Sequence, residues 1–165
     1  MKLLNVKKVI AADQEVLYEV YVDSRRDEVT LFGWDRLQQD TFLSMQFRAQ
    51  QAHYEKQYPG AVHEIIYWDE KPIGRIITEI RKSEVLLVDI SLVTSWQNKG
   101  IGTHLISNLQ QQAKQIRKPI LLHVYQSNPA ERLYKKLGFQ VLEEKPPYIV
   151  MSWDIVNNSL KRRGN

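Results

Sequence analysis

The sequence contains no cysteine, which excludes disulfides, thiolate metal sites and a cysteine nucleophile. No apolar run approaches the ~18 residues that a membrane-spanning helix needs. The opening Met1-Lys2-Leu3-Leu4-Asn5-Val6-Lys7-Lys8 is too short and too charged for the apolar core of a secretory signal, so a cytoplasmic location without membrane contact is expected. Repeats, low-complexity tracts and linkers rich in Gly, Ser or Pro are also missing. A single domain over residues 1–165 is therefore expected, with a core of about 3–155 and a basic tail, 156–165, that carries Lys161-Arg162-Arg163. Charge of one sign is scarce: 23 Lys and Arg against 19 Asp and Glu leave +4. That bias suits an anionic ligand, but no element interleaves basic with aromatic residues, so no nucleic-acid partner is expected. The histidines His53, His63, His104 and His123 lack metal-ligand spacing, and no metal is expected.

What is present is an alternation of short elements. Leu4, Val6, Val9 and Ile10 read as a strand, and Asp13 is placed to cap a helix from about Gln14 to Arg25. Asp35-Arg36-Leu37-Gln38 has the form of a capping box, and the helix it opens should stop before Tyr58-Pro59-Gly60. Phe42, Met45, Ala49 and Ala52 are expected to form its core stripe. Three strands follow, Val62 to Trp68, Ile73 to Ile80 and Val85 to Val93, with turns too short for anything but antiparallel hairpins. A helix from about Gly100 to Ile116 buries Ile101, Leu105, Leu109, Ala113 and Ile116, and Pro119 blocks its continuation. A strand over Ile120 to Tyr125, a short helix begun by Asn128-Pro129 and closed by Gly138, and strands at Val141 to Glu144 and Tyr148 to Trp153 complete the chain. Hairpins followed by a strand-helix-strand crossover predict an α+β fold with a mixed sheet.

One stretch points to chemistry. An apolar strand, Leu86 to Val93, runs into Thr94-Ser95-Trp96-Gln97-Asn98-Lys99-Gly100-Ile101-Gly102-Thr103, where a helix starts on two glycines. The first helical turn has backbone N–H groups without internal partners and a partial positive charge, so it favours an anion. Glycine at 100 and 102 would keep side chains away from a phosphate, and Lys99 adds charge. A Walker A loop fails because Gly102 is followed by Thr103-His104, and a Rossmann fingerprint fails because position 105 is Leu.

Gln97-x-x-Gly100-x-Gly102, followed one helix and one strand later by Asn128-Pro129-Ala130-Glu131-Arg132-Leu133-Tyr134-Lys135-Lys136-Leu137-Gly138-Phe139, resembles the GNAT superfamily of coenzyme A-dependent N-acyltransferases. The two segments cover residues from about 85 to 140 in the family's order. The resemblance implies a three-layer α/β/α GNAT fold whose mostly antiparallel sheet splays between two parallel strands. It also implies an N-acetyltransferase that moves acetyl directly from acetyl-CoA to a primary amine of a small molecule, peptide or protein. A non-catalytic coenzyme A sensor on the same fold is the alternative.

Carried over to this sequence, the pantetheine arm would meet the backbone of Ile90, Ser91 and Leu92. The pyrophosphate would sit on Asn98, Lys99, Gly100, Ile101, Gly102 and Thr103, with Gln97 beside them and Asn128 as a further coenzyme A contact. A backbone N–H near Leu92 would stabilise the oxyanion. Tyr134 would serve the leaving thiolate as acid or hydrogen-bond donor. A lysine-like amine with a pKa of about 10.4 is nucleophilic only about one time in a thousand at neutral pH, so its proton needs a destination. Asp89, an acid in an apolar strand, is the candidate base, and it equally suits satisfying a neighbouring donor. Glu79 and a water relay are the other routes. The acceptor has no readable motif; Trp34, Tyr54, Tyr58, Trp68 and Trp96 or the glutamines from Gln38 to Gln51 are candidates to wall its pocket. The closing strands leave room for pairing across a homodimer.

Overall fold

The computed structural model describes residues 3–155, and the expected basic tail lies outside the described residues. Among the described residues, seven strands and four α-helices follow in the order β1 (Leu4–Lys8), α1 (Gln14–Thr30), α2 (Arg36–Gln57), β2 (Val62–Trp68), β3 (Lys71–Ile80), β4 (Val85–Leu92), α3 (Ile101–Gln115), β5 (Ile120–Tyr125), α4 (Ala130–Lys136), β6 (Gln140–Lys145) and β7 (Tyr148–Trp153). The strands form one sheet in the order β1-β2-β3-β4-β5-β7-β6. β1 with β2, β5 with β7 and β6 with β7 are antiparallel, and β4 with β5 is parallel, which is the mixed α+β sheet expected. The parallel register joins Val85, Leu86 and Leu87 to Ile120, Leu121 and Leu122. A parallel pair needs a crossover, and α3 supplies it.

The chain divides into two compact units. One runs through Ile77 and takes in Asp89–Gln97; the other is Thr78–Val88 with the chain from Asn98 onward. In the first, Leu17, Tyr21 and Val29 of α1, Leu43 and Phe47 of α2 and Ile65 of β2 make the core, with the rings of Tyr18 and Tyr21 at 5.3 and 5.4 Å from that of Phe47. In the second, the buried set comes from Val85, Leu86 and Leu87, from Ile101, Leu105, Ile106, Leu109 and Ala113 of α3, and from the hydrophobic centres of β5 and β7.

The helix punctuation is partly as expected. Asp35 caps α2 through a reciprocal box, its carboxylate accepting from Gln38 N at 2.8 Å while the Gln38 side chain accepts from Asp35 N at 3.1 Å. Asp13 turns backward instead, accepting from Ile10 N at 2.8 Å, and α1 runs on to Thr30. The stripe expected on α2 is not its core: Met45, Ala49 and Ala52 are exposed, Phe42 is half-buried, and Gln39, Leu43 and Phe47 are buried. Gln39 can be buried because its amide is satisfied, donating to Trp34 O at 3.0 Å and accepting from Arg26 at 3.1 Å. Ile116, expected on the inner face of α3, is exposed past its end.

Candidate functional site

In the first unit, the end of β4 is gripped by side chains. Asp89, Ile90, Ser91 and Leu92 are all half-buried. Asp89 Oδ2 accepts from Arg75 Nε at 2.9 Å, with the two side chains 22% and 7% exposed. The same guanidinium donates through its other arm to Gln50 Oε1 and lies over the Tyr54 ring at 5.6 Å. Burial, and after it the negative charge of Asp89, pushes the Tyr54 hydroxyl above the ordinary phenol range and keeps it protonated. Of the two roles open to Asp89 from sequence, the satisfied carboxylate is the one whose partner is visible.

The turn after β4 is tied down as well. Gln97 donates its side-chain amide to Leu92 O at 3.0 Å, and Val93 N donates to Ile73 O at 2.8 Å. Thr94 N donates to Asp23 Oδ1 of α1 at 2.7 Å. Gln97 therefore spends its amide on the strand end, where its motif position had suggested the ligand.

In the second unit, Asn98 (φ 59°) and Gly100 (φ 81°) adopt left-handed backbone, which turns the chain into α3. A Cβ on Gly100 would meet nothing within 4 Å, so the space above this N-cap is open. His104 N is the first amide of α3 to reach a helical acceptor, Gly100 O at 3.0 Å. The amides of Ile101, Gly102 and Thr103 precede it and are the donors that a helix start leaves without helical partners. A Cβ built on Gly102 would lie 3.4 Å from Leu133 Cδ2 of α4, an ordinary van der Waals contact. Asn98, Lys99 and Thr103 are exposed.

Tyr134 is buried in α4 with its ring 5.7 Å from that of Phe139. Asn128 acts as a cap, its Oδ1 accepting from Ala130 N at 2.9 Å, so that oxygen is committed to the protein. Glu79 pairs with Arg81 Nε at 3.0 Å, and its second oxygen is buried without a partner among the described residues.

A pocket of about 410 Å³ lies within the first unit, lined by Gln14, Gln51, Tyr54, Tyr58, His63 and Arg75 among others. Two of the aromatic residues expected to wall a pocket are thus there. Trp34 instead packs at steep angles against the rings of Phe32 and Phe42, and Trp68 lies against Trp96 with ring centroids 5.2 Å apart. Burial, with Arg75 second, holds the His63 imidazole below its usual range, and burial raises the Glu64 carboxyl. No group of three or more His, Cys, Asp or Glu among the described residues is arranged to hold a metal ion.

Sequence reasoning missed Arg75 and Gly74. Both had a signal: a lone cation in the apolar run Ile73 to Ile77, one hairpin from a lone acid, and a glycine inside a strand, which marks close backbone approach.

The sequence profile described as "Acetyltransferase (GNAT) family" matches residues 17–139. The cysteine-rich protein 2-binding protein of Mus musculus is 32% identical over 90 residues, 53% of this chain, and the Homo sapiens protein matches equally. The chain spans 11% of the length of those curated relatives. Among solved structures, the PaiA N-acetyltransferase of Thermoplasma acidophilum in complex with coenzyme A superposes with a TM-score of 0.69 at 17% identity, over 92% of this chain and 98% of that one. Naa50 of Arabidopsis thaliana, in complex with a bisubstrate analogue of coenzyme A and a peptide, gives 0.62 at 16% identity over 93% and 99%.

Proposed function

The chain belongs to the acetyltransferase (GNAT) family, and on that premise we propose that it transfers acetyl directly from acetyl-CoA to a primary amine of a small molecule, peptide or protein, in the cytoplasm. The observation that carries the reading is the start of α3. Left-handed Gly100 opens onto free space and is followed by the amides of Ile101, Gly102 and Thr103, which precede the first helical hydrogen bond, from His104 N. Such a turn offers directed N–H donors and the positive end of a helix dipole to a pyrophosphate, with Asn98 and Lys99 at its edge.

In this reading the backbone of Ile90, Ser91 and Leu92 takes the pantetheine arm as an added strand, and the Leu92 N–H faces the thioester carbonyl. The amine nitrogen attacks the carbonyl carbon, the oxyanion is held by that N–H, and the C–S bond breaks. Tyr134 gives the thiolate its proton, and water takes the proton lost by the amine and returns one to the Tyr134 phenolate. Asn128 contributes a coenzyme A contact through its remaining amide hydrogens, and Gln97 acts through Leu92 O. Asp89 serves as an anchor of the strand, because its carboxylate faces a buried guanidinium. A thiol-release assay with acetyl-CoA and a panel of primary amines, followed by mass analysis of the amines, tests the proposal. One acetyl unit on an amine for each thiol released is the expected result; thiol release no faster than acetyl-CoA hydrolysis across alkylamines, amino acids and peptide N-termini would reject it.

A further inference from the structure

The strand assigned to the acyl donor is shaped by its neighbour. A Cβ added to Gly74 would collide with the carbonyl oxygen of Ser91 and come within 2.9 Å of Leu92 Cδ2 and 3.2 Å of Leu92 Cα. Two of those three atoms are backbone, so no rotamer change relieves the clash, and only glycine lets β3 and the end of β4 approach this closely. The next residue, Arg75, is 5% exposed and holds Asp89 at 2.9 Å. A buried ion pair contributes little net stability once desolvation is counted, and its best-attested use is to fix geometry. Tyr54 and Gln50 hold the guanidinium from the other side. Consecutive residues of β3 thus fix both ends of Asp89–Leu92, Arg75 at residue 89 and Gly74 at residues 91 and 92.

We propose that Gly74 and Arg75 are positioning residues for acyl transfer, holding the Asp89–Leu92 backbone in the register at which its N–H groups meet the thioester. This rests on the acetyl-CoA reading above. It separates two functions along the chain: residues 98–103 bind the pyrophosphate whatever the acyl state, and residues 89–92 meet the pantetheine arm and, beyond it, the thioester carbonyl. A fault in β3 should therefore disturb the handling of acetyl-CoA more than that of free coenzyme A, which lacks the carbonyl.

The test uses the full chain and four variants: Gly74→Ala, Arg75→Met, Arg75→Lys and Asp89→Asn. Affinities for acetyl-CoA and for free coenzyme A are measured by calorimetry, kcat and KM by thiol release with the best amine of the panel, and folding by thermal melting. Binding of acetyl-CoA by the unsubstituted protein is the control, and its absence would defeat the acetyl-CoA reading. With that binding present, the variants alone decide on positioning.

In Gly74→Ala and Arg75→Met, kcat is expected to fall about tenfold or more, and acetyl-CoA affinity to fall more than coenzyme A affinity, so that their ratio shifts. Arg75→Lys, which retains a cation, should recover part of kcat. Asp89→Asn adds no heavy atom and decides the question where Gly74→Ala does not fold. Its kcat should fall with the shape of the pH profile unchanged, whereas a lost ionisation limb would make Asp89 the base and overturn the positional role. Folded variants with lowered melting temperatures but an unaltered kcat and affinity ratio would equally overturn it, since a purely structural role has that signature.

Discussion

The two halves of β4 are held by different physics. Val85, Leu86 and Leu87 are 2%, 7% and 3% exposed, with Ile120, Leu121 and Leu122 as ladder partners. Residues Asp89 to Leu92 are half-buried, and their grip comes from an ion pair, a missing side chain and an amide on a carbonyl. The first half is stabilised mainly by apolar area removed from water, which tolerates changes of shape and resists loss of volume. The second draws on directional contacts, each of small net energy but narrow geometry. In the proposed reading, a strand built this way anchors itself with one end and offers its backbone to the acyl donor with the other. Damage to the first half should appear in stability, and damage beyond it in ligand handling.

The largest expected effect breaks that contrast from the stable side. Leu87→Ala should cost about 2–5 kcal/mol of unfolding free energy, read by denaturant titration, with acetyl-CoA affinity of the folded protein unchanged. Gly100→Val comes next. A branched side chain at φ 81° carries strain of about 1–2 kcal/mol and stands in the open space above the helix start. Acetyl-CoA affinity should fall about tenfold or more by calorimetry while the protein stays folded. Tyr134→Phe should lower turnover about tenfold, with acetyl-CoA affinity within about twofold, as expected when a proton donor is lost and packing is kept. The smallest effect sharpens the contrast: Ser91→Ala should leave affinity and turnover within about twofold, because the proposed role of this position is made by main chain.

Much of this was legible in the sequence, and what was not has physical causes. α3 could be read because Ile101, Leu105, Leu109 and Ala113 recur every fourth residue, with mostly polar residues between them. α2 offers apolar residues on several faces, and its buried face includes Gln39, which hydrogen bonds make acceptable inside. Hydrophobicity alone therefore selected Met45, Ala49 and Ala52, which face solvent. At the site, the left-handed glycine and the helix start follow from local rules. The partnership of Arg75 with Asp89 is a tertiary fact that spans 14 positions of chain. A strand pattern shows that both charges need partners but not which, which is why Asp89 reads from sequence both as a candidate base and as a satisfied carboxylate.

The measurement that tests the account most directly is a calorimetric titration of acetyl-CoA into the unsubstituted protein and into Gly100→Val, side by side. Saturable one-to-one binding by the former and affinity weaker by about tenfold or more in the folded variant are expected. Equal affinity in the two proteins would place the pyrophosphate somewhere other than the start of α3 and contradict the central claim.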